Sequence, residues 1–166
     1  MDISLKLCGV EDLDTLRELS IRTYYETFAA LNTSENMQEY LHRAFNKEKL
    51  LEELTDKNSK FFFLYCGEKL AGYIKVNEAP SQTDINDPNS LELERIYVTG
   101  EFQGQGLGGY LMQKAVSIAV ERHKKYIWLG VWEKMKTPFV STKRRGFTKS
   151  AHTPLSWVKT GKQTIS

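Results

Sequence analysis

Residues 2–8, DISLKLC, alternate between polar and apolar, the period of two expected of a half-buried strand. The period then changes. After Glu11-Asp12, an acidic pair suited to a first helical turn, apolar residues return at Leu13, Leu16, Leu19, Tyr24 and Phe28, which predicts a helix to about Leu31. Thr33 or Ser34 is placed to cap a second helix carrying Met37, Tyr40, Leu41, Ala44 and Phe45, with a third around residues 50–54. Strand-like runs at 60–66 and 69–77 flank Gly67-Glu68 and read as a tight hairpin. A polar loop with Pro80 and Pro88 fills 79–89. Residues 91–99 read as a fourth strand. Residues 107–123 read as a helix with Leu107, Leu111, Ala115, Ile118 and Ala119 along one side. The all-apolar run YIWLGVW, 126–132, reads as a fifth strand buried on both faces. The order β-α-α-β-β-β-α-β predicts an α/β (α+β) sheet with helices packed on it.

The fourth strand slips phase. Leu91 and Leu93 lie on odd positions, Ile96 and Val98 on even ones, so one residue too many stands near Glu94-Arg95. A β-bulge absorbs such a residue, and bulges often sit beside active sites. Directly downstream, Gln103-Gly104-Gln105-Gly106-Leu107-Gly108 links this strand to the helix. A helix N-terminus offers free N–H groups and the positive end of a dipole, and glycine permits close approach of a phosphate. The run is neither a dinucleotide G-x-G-x-x-G nor a Gly-Lys-Ser/Thr loop.

Charge and composition narrow the chemistry. The formal net charge is +2, yet residues 134–166 hold eight Lys or Arg and no acid. That leaves 15 basic against 21 acidic residues in 1–133, a net of −6. An acidic body favours cationic ligands and argues against nucleic acid. No apolar run suits a membrane span, and the start lacks a signal peptide's order, which predicts a cytoplasmic protein. Cys8 and Cys66 form no metal or redox motif and read as buried thiols; His42, His123 and His152 are scattered, so no metal site is expected. Tyr24, Tyr25, Phe28, Trp128 and Trp132 read as core or as the wall of a cleft. The acidic stretch Glu48, Glu52, Glu53, Asp56 reads as a solvated helix face.

A bulged strand followed by Gln103-x-x-Gly106-x-Gly108 and a helix resembles the acetyl-CoA site of the GNAT N-acetyltransferases, and the similarity runs from residue 1 to about 134. LELERIYV, FQGQGLG and IWLGVWEK resemble most the bacterial PaiA-type spermidine/spermine acetyltransferases, which are also described as negative regulators of protease synthesis and sporulation. The resemblance implies a single GNAT domain over 1–166: a mixed, mainly antiparallel central sheet with a bulged fourth strand, flanked by helices. It implies acetyl-CoA as co-substrate, its pyrophosphate held by amides of Gln103, Gly104, Gln105, Gly106, Leu107 and Gly108. The pantetheine arm would enter between the fourth and fifth strands and pair with Ile96, Tyr97 and Val98, where an amide could polarise the thioester carbonyl. Glu92, eleven residues before Gln103, stands where several members place a general base, with Glu94 in reserve. The implied partner is a small cationic amine, a polyamine that attacks directly in a ternary complex, without metal; a homodimer is compatible with it. Acetylation of a protein N-terminus or lysine is a further option, needing a neutral, open cleft.

The resemblance breaks after the fifth strand. The family continues with Asn-x-x-Ala-x-x-Phe-Tyr-x-x-x-Gly-Phe, where the Asn and Tyr contact CoA and the Tyr often serves as acid to the leaving thiolate. Here residues 135–142 read MKTPFVST before Lys143-Arg144-Arg145-Gly146-Phe147, so Met135 and Thr142 occupy the Asn and Tyr positions. Methionine donates no hydrogen bond, and a Thr hydroxyl is shorter and less acidic than a phenol. Codons exist for Lys134 to Thr142 that, with one adenine restored before Met135, spell Asn-Glu-Asn-Ala-Ile-Arg-Phe-Tyr. A shifted reading from Ser150 likewise yields a family-like, acid-containing end. The expectation is that 135–142, and about 150–166, are out of frame through single-base changes, which the nucleotide sequence decides. A CoA-binding regulatory protein with impaired catalysis therefore stands beside the enzyme reading.

Overall fold

The computed structural model describes residues 2–130 and, by its backbone, the segment 156–160. Met135, Thr142, Trp132 and the departing segment 135–142 lie outside the described residues. The elements are β1 (Ile3–Leu7), α1 (Leu13–Phe28), α2 (Ser34–Ala44), α3 (Lys47–Thr55), β2 (Ser59–Cys66), β3 (Lys69–Asn77), β4 (Ser90–Val98), α4 (Leu107–Glu121), β5 (Tyr126–Gly130) and β6 (Ser156–Thr160). They form one sheet in the order β1-β2-β3-β4-β5-β6. The junctions from β1 to β4 are antiparallel; β4–β5 and β5–β6 are parallel. This is the mixed, mainly antiparallel sheet the sequence predicts, with β6 added from a segment where the pattern had placed no strand.

Helix ends follow their capping chemistry. The Thr33 hydroxyl, rather than Ser34, accepts from the Asn36 N–H at 3.2 Å and starts α2; the Asn46 side chain accepts from the Lys49 N–H at 2.9 Å and starts α3. The helix expected to reach Leu31 is shorter: α1 ends at Phe28, and Ala29–Leu31 tightens to a 3-10 turn.

The sheet separates two cores. On one face Leu64, Ile74, Val76, Leu91 and Leu93 pack against Leu107, Leu111, Met112, Ala115 and Ala119 of α4. On the other, Phe61, Phe63, Tyr73 and Tyr97 meet Leu16, Leu19, Met37, Leu41, Phe45 and Leu50, brought by α1, α2, α3 and the turn between the last two. Each such buried side chain contributes roughly 1.5–3 kcal/mol through lost apolar surface. Both cysteines are buried and unpaired, and burial pushes the Cys8 thiol up to about 12, well away from reactivity at neutral pH.

The end of β4 is fixed by close contact with β3. Gly72 pairs with Val98, and a Cβ on Gly72 would lie 2.2 Å from the Tyr97 carbonyl oxygen, which is backbone and cannot rotate away. Gly72→Ala is expected to cost about 1–3 kcal/mol by overpacking. Thermal denaturation should show a midpoint several degrees lower; an unchanged midpoint would mean that β4 is free to move.

Candidate active site

The bulge is where the phase slip puts it. Lys75 pairs with Arg95 and the next residue, Val76, with Leu93, so Glu94 is the extra residue of β4. Leu91, Leu93, Ile96 and Val98 therefore all face α4 despite their odd and even positions. On the opposite face Asn77 bonds Glu92 and Glu94, Lys75 bonds Glu94, and Arg95 pairs with Glu94.

A fork opens beside it. The β4–β5 ladder runs through Ser90–Tyr126 and Leu91–Ile127 and stops at Glu92–Trp128. Yet β4 continues to Val98 and β5 to Gly130. Beyond Glu92, Ile96, Tyr97 and Val98 pair with β3 on one edge and, among the described residues, with no strand on the other. Ile96 and Val98 are half-buried toward α4; Tyr97 is buried on the far face, stacked on Tyr73 at 5.7 Å between ring centres.

The glycine loop leads from the free end of β4 into α4. Gln103 turns back so that its side-chain amide donates to the Val98 carbonyl at 3.0 Å, and Leu107 is buried beneath the loop. Gly104 and Gly106 have φ of +79° and +81°, a region that L side chains rarely adopt, so these two positions need glycine. Among the described residues no side chain caps α4, and its first backbone bond is Tyr110 N–H to Gly106 C=O, 3.2 Å. The preceding amides, from Gly104 to Gly109, have no acceptor among the described residues. Gln105 is exposed, and a Cβ at Gly104 or Gly108 would meet nothing within 4 Å. Unpartnered N–H groups, a helix dipole and open space together fit an anionic pyrophosphate. A salt link steadies the approach: Glu26 of α1 accepts from the Gly100 N–H at 2.9 Å, and Arg22 spans Glu26 and Glu101.

At the root of the fork lies a buried charge cluster. Glu92 is 1% exposed. Its Oε1 accepts from Asn77 Nδ2 at 2.8 Å and from the Thr83 N–H at 2.9 Å, and its Oε2 accepts from the Thr83 hydroxyl. Burial outweighs these bonds and raises the Glu92 carboxyl above its ordinary range. Glu94 goes the other way. Burial pushes it up, but the charges of Arg95 and Lys75 more than offset that, and the net direction is down. Lys75 Nζ lies 2.9 Å from Glu94 and 2.8 Å from Glu53, and Arg95 Nε lies 3.1 Å from Glu94. Neither strand carboxylate is solvated. Glu53 also corrects the reading of α3 as a solvated acidic face, because it turns inward to hold two buried cations.

The sequence did not single out Asn77, Thr83, Lys75 or Arg95. The available signal was weak: Lys75 and Asn77 are polar residues closing an otherwise apolar strand. Among the suggested wall residues, Phe28 and Trp128 are core, Tyr24 stacks on Tyr40 at 4.2 Å, and Tyr25 is 54% exposed.

Comparison with known proteins agrees with this geometry. A profile of the acetyltransferase (GNAT) family matches residues 13–138, ending inside the departing segment. An uncharacterized N-acetyltransferase from the pepI 3′ region of Lactobacillus delbrueckii subsp. lactis is 38% identical over 123 residues, 74% of this chain and 71% of that protein. The spermidine N(1)-acetyltransferase of Thermoplasma acidophilum is 27% identical over 122 residues, 71% of each chain. In fold, the chain is similar to the PaiA N-acetyltransferase of Thermoplasma acidophilum, solved with coenzyme A. The TM-score is 0.75 at 23% identity, over 88% of this chain and 89% of that one. A bulged and forked β4, a glycine-led α4 and the profile match over most of the chain lead to one assignment: this protein belongs to the GNAT family of acetyltransferases, enzymes that use acetyl-CoA.

Proposed function

We propose that the protein transfers an acetyl group from acetyl-CoA to a primary amine of a polyamine of the spermidine class, by direct attack in a ternary complex. The observation that carries this reading is the fork between β4 and β5, which opens at Glu92 on the strand that leads into the glycine start of α4. The amides of Gln103 to Gly108 bind the pyrophosphate, and the free edge of Ile96, Tyr97 and Val98 receives the pantetheine arm as a short added strand. Acetyl-CoA supplies the activated acyl group. Glu92 takes the proton from the acceptor ammonium, because its raised carboxyl and its place at the root of the fork suit a base. Glu94 is committed to Lys75 and Arg95, which supports Glu92 over it.

A polyamine fits the charge of the body. Residues 1–133 carry a net −6, and attraction to a polycation is screened by salt. The apparent KM for spermidine is expected to rise as ionic strength increases, in a coupled assay of CoA release. A neutral amine preferred over spermidine at every salt concentration would overturn the acceptor assignment.

The segment 135–142 favours a second reading, a CoA-binding protein with impaired catalysis, because Met135 and Thr142 stand where the family has an Asn and a Tyr. Acetyl-CoA binding without turnover of any amine, peptide or polyamine would select it.

A further inference from the structure

A carboxylate that is 1% exposed cannot by itself meet an ammonium arriving from solvent. Among the described residues, the hydroxyl that reaches Glu92 Oε2 belongs to Thr83, and Thr83 is an exposed residue. The Asn77 amide and the Thr83 backbone N–H occupy Oε1. Among the described residues, the side chain that reaches both the buried carboxylate and the outside therefore carries an exchangeable proton.

We propose that the Thr83 hydroxyl is a proton relay, passing the proton of the acceptor ammonium, directly or through one water, to Glu92 Oε2. This rests on Glu92 being the base. The step balances. The Thr83 O–H proton goes to Glu92 Oε2 while the Thr83 oxygen takes a proton from the ammonium. One N–H bond breaks, one carboxyl O–H bond forms, the hydroxyl is regenerated and the amine keeps its electron pair for attack.

The loop that presents Thr83 is tied down at several points. Glu78 pairs with Arg122 at 2.5 Å and Lys124 at 2.8 Å, at the far end of α4. The Gln82 side-chain amide donates to the carbonyls of Asn77 and Ser90, both at 3.2 Å, and its carbonyl accepts from Trp128 Nε1 at 3.3 Å. Asp87 accepts from the Tyr126 hydroxyl at 2.6 Å. The Thr83 N–H bond to Glu92 then fixes which way the hydroxyl points. A polar loop with this many anchors is a built cover over the carboxylate rather than a free connection.

The other charges around Glu92 lie behind it. Glu94 on β4 opposes its ionisation, and Lys75 on β3, Arg95 on β4 and Glu53 on α3 form the cluster that holds Glu94. The loop contributes Thr83, which does not titrate, and β5 contributes Trp128. Removing the Thr83 hydroxyl takes a hydrogen bond from the charged form of Glu92, so its pKa rises further.

The test compares Thr83→Val, which keeps the shape, and Thr83→Ser, which keeps the hydroxyl, with Glu92→Gln, using spermidine and acetyl-CoA across a pH series in H₂O and D₂O. Thr83→Val is expected to lower kcat about tenfold, to move the acidic limb of the pH profile to higher pH, and to change the solvent isotope effect, with the KM for acetyl-CoA unchanged. Thr83→Ser should restore most of the rate. An inactive Glu92→Gln beside a Thr83→Val of normal rate and normal pH limb would overturn the relay and leave the base in place. A Thr83→Ser as slow as Thr83→Val would also overturn it, by showing that shape matters and the hydroxyl does not. A fully active Glu92→Gln would remove the base, and the relay with it.

Discussion

Replacing Gly108 with glutamate is expected to leave the fold intact and to weaken CoA binding by about 100-fold or more. Gly108 lies in the first turn of α4, and a Cβ there meets nothing within 4 Å, so the side chain itself fits. An acidic residue in a first turn interacts favourably with the helix dipole by about 0.3–1 kcal/mol, so the melting temperature should hold or rise slightly. The ligand faces the opposite effect. A carboxylate would stand among the unpartnered N–H groups proposed to hold the pyrophosphate, and two like charges about 4 Å apart repel by roughly 4 kcal/mol at an effective dielectric of 20. A loss of about 100-fold corresponds to only ~2.7 kcal/mol, so the expected loss is a lower bound. Gly108→Ala separates charge from bulk and should retain most of the affinity. Gly104 and Gly106 make poorer tests, because at φ of +79° and +81° any side chain also strains the loop. Calorimetric titration with CoA decides: an unchanged Kd in Gly108→Glu would place the phosphate elsewhere.

The features that control this site were unequally visible in the sequence. The bulge was legible because apolar alternation is strict; a single slip between Leu93 and Ile96 can be absorbed only by an extra residue, and that residue is Glu94. The glycine loop was legible as a turn into a helix, and Gly104 and Gly106 do take the positive φ that glycine permits. That helices pack on a sheet followed from period alone. What surrounds Glu92 was hidden. Asn77 and Lys75 sit on β3, Glu53 on α3 and Thr83 in a loop, and each looks solvated in isolation. Only the packing of α3 on the sheet and the folding back of 79–89 bring them together. Local pattern records which face a residue takes, not which polar groups from distant segments will share that face. Glu53 shows the cost of that blindness: in a row of acidic residues it has the composition of a solvent face, yet its position in the helix turns it toward Lys75 and Arg95.

Glu92→Gln is expected to lower kcat by roughly 10²–10⁴-fold, the usual contribution of a positioned base, while leaving the protein as stable as before. The substitution preserves the hydrogen bonds. The Gln carbonyl accepts from Asn77 Nδ2 and the Thr83 N–H as Oε1 does now, and its amide can donate to a Thr83 hydroxyl that rotates to accept. What disappears is the buried negative charge. Because the folded-state pKa of Glu92 is raised above its unfolded value, the folded state holds the proton more tightly. That contribution to stability is complete below the unfolded pKa and is lost as pH rises through the folded one. At neutral pH the ionised carboxylate therefore weakens the fold, and Gln should relieve this, with a melting temperature equal to or above that of the native chain. Glu94→Gln runs opposite. Its carboxylate is lowered by Arg95 and Lys75, so its contribution is present above the unfolded pKa and is lost as pH falls through the folded one. Removing that charge leaves Lys75 and Arg95 sharing the single carboxylate of Glu53 and should cost several kcal/mol. The pH profile carries the same sign: kcat/KM should rise with pH along a limb set above the ordinary carboxylate range, since the base acts only when deprotonated. A Glu92→Gln variant that turns over spermidine at the native rate, with the native pH limb, would refute Glu92 as the base. Lost activity accompanied by a lower melting temperature would assign it a structural role instead. A stable protein that binds acetyl-CoA normally, acetylates slowly and loses the acidic pH limb is the pattern expected when Glu92 is the base.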